Sequence, residues 1–426
     1  MRRTGACHRA PVLCLAASFA LAAAAPVWAA DVEVQSDTIV RYFQRDTSAG
    51  DDQAVAPVYE YLRVAAGQLE GKGFSVHGYG WGRYDLADNE YFDDRSQGEV
   101  LYGYLQYSHE TANFIGRLGR QYVFEGVANE SVDGLSLRGD LSSLFSVSAY
   151  GGQPVALETT NGRSGDRIWG GRLSHHWGTR YDLGLSYKRI DDDSEKQEEL
   201  LGVDSSLNLP TGIPVSFHGL SVRNMETDQW QEHSYEARVS IAKFLLRPHF
   251  ERFVYDAYFD TGDDTGSPFR FLADSDEVVT IAGGDLTWYP TESIELELKG
   301  KKYNYQERDD NAWYYGALAT IHVKGLSQFG LEAGVMDGDT DDTRYSLWRG
   351  FLYWDLKPAF VSGDVVYVKY DEDILDEDRS LFASLGTGMK FLDETLTLKL
   401  SGDYSTDPYF DQDVRGLLAV TYLFSK

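Results

Sequence analysis

The sequence predicts an all-β fold, in which a single antiparallel sheet closes into a transmembrane β-barrel. Three observations support this prediction. Apolar and polar side chains alternate strictly over much of the chain. The connections between these stretches mostly alternate between short and long. The chain also begins with an export leader. We count about 22 candidate strands of roughly ten residues each, a length that crosses a bilayer when the strands are tilted.

The leader has the three parts of a secretory signal peptide. Arg2, Arg3 and Arg9 supply positive charge, an apolar run covers residues 11–27, and small residues follow up to Ala29. We place cleavage after Ala29 or one residue later. The sequence therefore predicts a signal peptide over residues 1–29 and one barrel domain over residues 30–426, without a linker.

Both cysteines of the chain, Cys7 and Cys14, lie in this leader. The mature chain therefore has no thiol for a disulfide, a thiolate metal site or a covalently attached haem. A closed ladder of backbone hydrogen bonds in lipid can stabilise the fold instead. The sequence calls for no cofactor.

The charge balance excludes nucleic acid as a partner. The formal net charge is −28, and loss of the three leader arginines makes it −31. A chain this acidic repels phosphate backbones. The acids either solvate loops or attract cations to a surface.

Alternation is clearest in two stretches. In residues 294–301, Ile294, Leu296 and Leu298 oppose polar residues, and in residues 396–404 three leucines and a tyrosine do the same. No stretch after the leader approaches 18 consecutive apolar residues, and mean hydropathy is −0.37. Both facts suit a barrel, in which lipid-facing and lumen-facing residues alternate.

The connections separate a membrane barrel from a soluble sandwich, which shows the same alternation. Short ones, such as 178–180 and 393–394, predict periplasmic turns. The long, acidic ones predict extracellular loops at 85–98, 153–166, 191–199, 256–277, 337–343, 371–379 and 405–411.

Aromatic residues support the same orientation. Trp177, Trp288-Tyr289 and Tyr353-Trp354 each precede a short turn, where a periplasmic aromatic girdle would lie. Ordinary strand aromatics would also explain them. In the last segment, 415–426, alternate apolar residues share one face and Phe424 lies near the end.

Several strands are predicted less securely. The first strand is placed at Thr38–Gln44, and the first hairpin and the stretches 200–209 and 215–224 could instead be loop, so the count ranges over roughly 16–22. Pro248 must break a hydrogen bond of the ladder in its strand.

The polar face of the alternating strands predicts a charged lumen. Mixed acids and bases there would orient polar solutes, or simply keep the interior wet. The candidates are Lys188, Glu236, Arg238, Glu295, Glu297, Lys299, Lys301, Glu332, Lys399 and Asp403.

The acidic loops predict cation accumulation at the pore mouth. The candidates are Asp256, Asp260, Asp263, Asp264, Asp337, Asp339 and Asp341. The spacing of the last three, together with Asp342, could suit a hard divalent cation, but the sequence lacks the EF-hand glycine and distal glutamate. We assign no metal site and treat these acids as solvated loop.

The sequence offers no enzyme site. His175 and His176 are adjacent in a strand, so they face opposite sides and cannot share a metal ion. The other histidines are scattered, and no nucleophile is paired with a base. We predict that the protein is not an enzyme.

The chain resembles Gram-negative porins over its mature length. The most specific match is Arg117-Leu118-Gly119-Arg120-Gln121 followed by Val132-Asp133-Gly134-Leu135, which is similar to strand pairs of alginate-export-type porins. Alternation slips near Gly119, so Arg120 could face either side, and a bulge would decide this. The stretch 78–85 resembles barrels of metal-reducing deltaproteobacteria, some of which sheathe multihaem cytochromes.

The resemblance implies residence in the outer membrane of a Gram-negative bacterium, among its lipid and lipopolysaccharide. It also implies recognition of the C-terminal strand by the barrel-assembly machinery. Our leading hypothesis is a passive channel for small hydrophilic solutes or ions, with modest cation preference. The alternative is a scaffold barrel around a periplasmic multihaem cytochrome. A receptor that displays acidic loops and a homo-oligomer are further alternatives.

The expected number of strands is compatible with the scaffold alternative. Barrels of 16–18 strands leave an aqueous pore, whereas barrels of about 22 are normally plugged. The sequence has no room for a plug domain before the first strand. A barrel of about 22 strands would therefore need infolded loops or another protein inside it.

Overall fold

The computed structural model describes residues 31–47, 50–87, 91–155, 165–192, 194–209, 212–257, 277–323, 325–408 and 410–425. The predicted signal peptide lies outside these residues. Within them, nearly all of the regular structure is β-strand, and two single 3₁₀ turns lie at Tyr255–Ala257 and Asp341–Thr343. No helix among these residues is long and apolar enough to cross a membrane.

Twenty-two strands build the sheet in the described part of the chain. The second strand has two segments separated by Ala56, and both pair with the first strand. The strands are β1 (Asp31–Thr47), β2 (Gly50–Val55 and Pro57–Gly67), β3 (Gly73–Asp85), β4 (Ser96–Ser108), β5 (Phe114–Glu125), β6 (Ala128–Asp140), β7 (Phe145–Pro154), β8 (Arg167–Trp177), β9 (Tyr181–Asp192), β10 (Glu195–Leu209) and β11 (Val215–Asn224). The second half comprises β12 (Gln229–Ile241), β13 (Phe244–Val254), β14 (Val278–Thr291), β15 (Ile294–Tyr305), β16 (Asp310–His322), β17 (Gln328–Gly338), β18 (Tyr345–Asp355), β19 (Ala359–Ile374), β20 (Glu377–Phe391), β21 (Leu396–Asp407) and β22 (Phe410–Ser425).

The sheet closes on itself. Each strand pairs antiparallel with the next, and β22 returns to β1 through a continuous ladder from Glu33–Ser425 to Phe43–Arg415. Closure leaves no sheet edge, so every strand finds a backbone partner on each side, as a membrane interior requires. The predicted all-β, closed antiparallel barrel is confirmed, as is the count of 22.

The two faces of the wall differ in chemistry. Large apolar side chains stand exposed on one face, with Leu298 at 59%, Leu331 at 69% and Leu385 at 68% exposure. The opposite face carries charged and hydroxyl side chains joined by hydrogen bonds. An exposed band of leucines is stable only against lipid, so the apolar face is the outer one and the polar face lines the lumen.

The connections sort onto two rims. In the described ranges, β1 begins and β22 ends at one rim together with the short turns, whereas the strands joined by the long connections at 85–96, 154–167, 254–278 and 338–345 end at the other rim. Trp177, Trp288 and Trp354 stand half-exposed on the outer face near the rim of the termini. This arrangement confirms the predicted separation of short turns from long loops, and it places the three tryptophans at the rim where the predicted girdle would lie.

Three predicted long loops are wrong. The chain at 191–199 and at 405–411 is strand with a short turn, and at 371–379 β19 runs to Ile374 and β20 starts at Glu377. Leu375 and Asp376 have φ of 51° and 69°, the left-handed values of a tight hairpin turn. Strand side chains that project beyond the bilayer are hydrated on both faces, so they lose the alternation that marks a strand.

The structure also tests the other strand predictions. The first strand is longer than Thr38–Gln44, since β1 covers Asp31–Thr47. The stretches considered as loop alternatives, 200–209 and 215–224, are strands. The ladder between β12 and β13 has no pair between Val239–Leu246 and Glu236–His249, which confirms the interruption expected next to Pro248.

Candidate pore constriction and lumen

The ten predicted lumen residues all lie, by strand alternation, on the face opposite the exposed apolar side chains. They are Lys188, Glu236, Arg238, Glu295, Glu297, Lys299, Lys301, Glu332, Lys399 and Asp403. Their part in permeation stays a prediction.

Several of them form one network on β13–β17. The Lys299 Nζ lies 2.6 Å from a Glu332 oxygen and 3.6 Å from a Glu297 oxygen. Glu297 also pairs with Arg247 at 2.6 Å. Asp285 lies 3.5 Å from the same guanidinium. The ion pairs of this network compensate charges whose partial burial would otherwise destabilise the barrel.

The sequence prediction missed Arg247 and Asp285. Arg247 precedes Pro248, which obscured the pattern of that strand, although Arg247, His249 and Glu251 do alternate with apolar residues. That alternation could have identified Arg247 as a residue of the lumen face.

The remaining predicted lumen residues are more dispersed. Arg238 pairs with Glu236 at 2.5 Å, and Glu295 lies 3.4 Å from His322. Asp403 faces Arg415 across β21–β22. Lys301 and Lys399 form no ion pair within the described residues. The candidates therefore do not converge on one site.

A hairpin that projects into the lumen is the main feature that the sequence did not predict. The ladder of β4 with β5 stops at Gly103–Arg120, and that of β6 with β7 stops at Val132–Pro154. The β5–β6 ladder nevertheless continues to Glu125–Ala128. Residues 121–131, here called the inward hairpin, thus leave the wall as a unit.

The inward hairpin packs against the inner surfaces of β7–β11. Val127 is buried with Leu200 and Val222. Its backbone N–H donates to the Ser186 Oγ at 3.1 Å. Gly126 has φ of 62°, and a Cβ there would lie 2.3 Å from Ser186. Only glycine can lie this close to Ser186, so close packing and a hydrogen bond together hold the tip of the hairpin against the wall.

A second apolar cluster seats the base of the hairpin. It comprises Val123, Ala128, Val132, Tyr150 and Ile168, with Ile190 packed against it. Apolar side chains on the inner face of a barrel are expected where protein, rather than water, covers them. The hairpin therefore occupies part of the lumen beside β7–β11.

A buried lysine fixes the hairpin to the wall. Lys188 on β9 is 4% exposed, and its Nζ lies 2.9 Å from Glu130 of the hairpin and 2.8 Å from Glu198 of β10. We call these three residues the latch. Lys188 was predicted as a lumen residue, but its partner is 58 positions away in sequence.

The porin-like motif forms the base of the inward hairpin. Arg120 donates to both Asp133 oxygens, at 2.8 and 3.0 Å, and to the Val100 carbonyl at 2.8 Å. Gly119 has φ of 126°, and a Cβ there would lie 2.3 Å from the Gly103 carbonyl. By alternation Arg120 shares the outer face with Leu118, while Gln121 turns inward and is buried. The bulge lies on β4, where Leu101 is left out of register with β3.

The predicted loop acids are not gathered in one place. Asp256 accepts from the Gln229 side chain at 3.2 Å, and Asp341 pairs with Arg344 at 2.5 Å. Asp339 accepts from the Asn311 backbone at 3.2 Å, and Asp337 pairs with Trp313 one position before the end of the β16–β17 ladder. Asp260, Asp263 and Asp264 lie outside the described residues.

Asp310, at the start of β16, instead organises the 338–345 connection. Its carboxylate accepts hydrogen bonds from the Asp339 backbone N–H and from the Thr340 and Thr343 hydroxyls, at 2.8–2.9 Å. In the ranges that the structure describes, no group of three His, Asp, Glu or Cys side chains is placed to hold a metal ion.

No family model and no curated protein sequence matches the chain. Among solved structures, Acinetobacter baumannii OccAB4 is 11% identical, with a TM-score of 0.48, covering 93% of this chain and 98% of that one. A. baumannii OccAB2 is 10% identical, with a TM-score of 0.47 and coverage of 92% and 98%. Pseudomonas aeruginosa OpdQ is 12% identical, with a TM-score of 0.44 and coverage of 93% and 97%.

Proposed function

We propose that the protein is an outer-membrane channel for passive diffusion of small hydrophilic solutes or ions, with modest cation preference. It acts without catalysis. The inward hairpin is the observation that carries this proposal. A barrel of 22 strands is normally plugged. Here the chain's own residues 121–131 cover part of the inner wall and would narrow the opening.

The proposed cation preference rests on charge. The whole chain has a formal charge of −28, and Asp256, Asp337, Asp339 and Asp341 lie at the rim opposite the termini. Carboxylates within about 8 Å of a permeating ion act on it at physiological salt. Fixed acids near a pore mouth raise the local cation concentration.

Planar-bilayer recording of the purified, folded protein tests the proposal. We expect an open channel whose reversal potential across a KCl gradient indicates K⁺ preference, and this preference should weaken as salt rises. Replacing Asp256, Asp260, Asp263 and Asp264 together with asparagine should reduce it.

The matched control replaces Asp192 and Asp376, at two tight turns of the same rim, with asparagine; this change should leave selectivity nearer that of the wild type. Anion preference would contradict the proposed selectivity. Absence of conductance from well-folded protein would contradict the channel and favour a barrel that waits for a partner.

A further inference from the structure

Two cations lie directly opposite each other on the outer face of the barrel, near the rim opposite the termini. Lys369 of β19 pairs in register with Arg379 of β20, and both side chains are exposed. Each lies an even number of residues along its strand from an outward-facing residue, Val365 at 47% exposure and Leu385 at 68%. By strand alternation both cations therefore point to the membrane side of the wall.

The pair lies at the level of the lipid headgroups. Arg379 is 12 residues along β20 from Phe391, an outward-facing aromatic residue near the rim of the termini. Twelve residues rise about 40 Å along a strand, which is about 30 Å across the membrane at a strand tilt of roughly 40°. The apolar band of a barrel is about 25 Å tall, so the two cations lie just beyond it. Trp348 and Tyr367, with ring centroids 5.9 Å apart, lie beside them at the edge of this band.

The protein compensates the charge of this pair only weakly. Like charges directly opposite each other on neighbouring strands destabilise a sheet. Among the described residues Lys369 forms no ion pair, and Arg379 has only Asp378, with 3.9 Å between the Nε and a carboxylate oxygen. Asp371 and Glu377 lie two residues nearer the rim and pair with neither cation. A phosphate between the two side chains would relieve their repulsion, since its oxygens can accept from both the ammonium and the guanidinium.

An apolar groove of about 670 Å³ lies on the same face, nearer the midplane. It crosses β18–β21, and its floor consists of the small residues Gly350, Gly363, Ala383 and Gly402. Larger apolar residues flank the floor: Leu331, Leu352, Val365, Leu385 and Tyr404. Val365 and Ala383 are four residues, about 13 Å along each strand, from the cation on the same strand. The groove is therefore within reach of an acyl chain whose headgroup lies at the two cations.

We propose that this surface binds a phosphorylated lipid of the outer leaflet, the lipid anchor of lipopolysaccharide. A phosphate of its headgroup lies between Lys369 and Arg379, and one of its acyl chains lies in the groove. The arginine donates two parallel hydrogen bonds to phosphate oxygens, and the lysine adds a point charge. The pair lies at the rim that the topology assigns to the cell exterior, which favours this lipid over a phospholipid. The proposal does not depend on the channel function.

Native mass spectrometry of the mature, folded protein in detergent, titrated with diphosphorylated lipid A, tests the proposal. We expect saturable binding, and lipid A without its phosphates should bind far more weakly. Lys369→Gln should weaken the apparent affinity by about tenfold, as expected for one lost charge-assisted hydrogen bond.

Gly363→Leu tests the groove separately and should also weaken binding, because the new side chain fills the space of the acyl chain. The barrel should tolerate this change, since a Cβ at Gly363 would lie 3.7 Å from its nearest neighbour, the Ser384 carbonyl oxygen, which is an ordinary contact. Unchanged affinity in Gly363→Leu would overturn the placement of the acyl chain.

The matched control is Lys357→Gln, which removes an exposed lysine from the turn at the other end of β19 and should leave binding unchanged. Heat-modifiable migration on gels shows whether each variant is folded. Equal weakening by Lys369→Gln and Lys357→Gln, or equal affinity for lipid A with and without phosphates, would overturn the proposal. Equal affinity for phosphatidylglycerol would overturn the assignment to lipopolysaccharide.

Discussion

Lys188 is the residue that joins the inward hairpin to the wall of the barrel. It is 4% exposed and is held between Glu130 of the hairpin and Glu198 of the wall. Removing one partner of a buried pair leaves the others uncompensated, which costs about 3–5 kcal/mol. We therefore expect this latch to contribute to holding the hairpin against β9.

Replacing Lys188 with methionine should release the hairpin. Glu130 and Glu198 would then repel each other at close range, while methionine keeps most of the side-chain volume. We expect a larger and noisier single-channel conductance and a lower temperature of unfolding on heat-modifiable gels.

Lys301→Met is the matched control, since Lys301 forms no ion pair among the described residues, and it should change conductance little. Wild-type conductance in Lys188→Met would show that the latch does not hold the constriction. Adding Glu130→Gln and Glu198→Gln to Lys188→Met removes the repulsion, so the triple variant should be less disrupted than Lys188→Met alone.

At the scale of the strand, the alternation of faces determines which substitutions the barrel tolerates. On β15, Leu298 faces outward at 59% exposure and packs beside Leu286, whereas Lys299 and Lys301 face the lumen. Lys299 bridges Glu297 and Glu332, so its loss would disturb two carboxylates. Lys301 is therefore the better probe of the lumen face.

Leu298→Arg should impair assembly far more than Lys301→Leu. An arginine that faces lipid near the midplane costs about 2–4 kcal/mol, whereas a lumen substitution leaves the lipid contact intact. The folded fraction after refolding, read from heat-modifiable migration, measures the difference. Equal loss of folded protein in the two variants would contradict the assignment of faces.

At the scale of the whole molecule, the two rims should lie on opposite sides of the membrane. Both termini share one rim with the short turns, and the long connections share the other. In outer-membrane barrels the short turns are periplasmic. The mature chain has no cysteine, so introduced thiols report topology without background.

Cysteines at Asp192, Asp264 and Asp376 should react with an impermeant maleimide on intact cells, whereas cysteines at Thr179 and Thr291 should react only after lysis. Asp192 and Thr179 lie at the two ends of β9 and its preceding turn, which makes them a matched pair. Labelling of Thr179→Cys in intact cells would reverse the orientation.

The sequence by itself determined the barrel and the faces of its strands. Alternation is a local property, because successive side chains of a strand point to opposite sides. Residues such as Leu298 and Lys299 therefore reveal their faces without any knowledge of their neighbours. The same signal fails where both faces are hydrated, which is why the sequence predicts a loop at 371–379, where the structure has two strands and a tight turn.

Only the tertiary structure decided where the lumen narrows. The latch joins Lys188 to Glu130 across 58 positions, and Tyr61, Tyr79 and Tyr102 bring their rings together from three strands. Such contacts depend on the register between strands and on where one ladder ends before its neighbour, and neither is contained in the alternation of a single strand. Residues 121–131 leave the wall where the ladders on either side of them stop, at Arg120 and Val132.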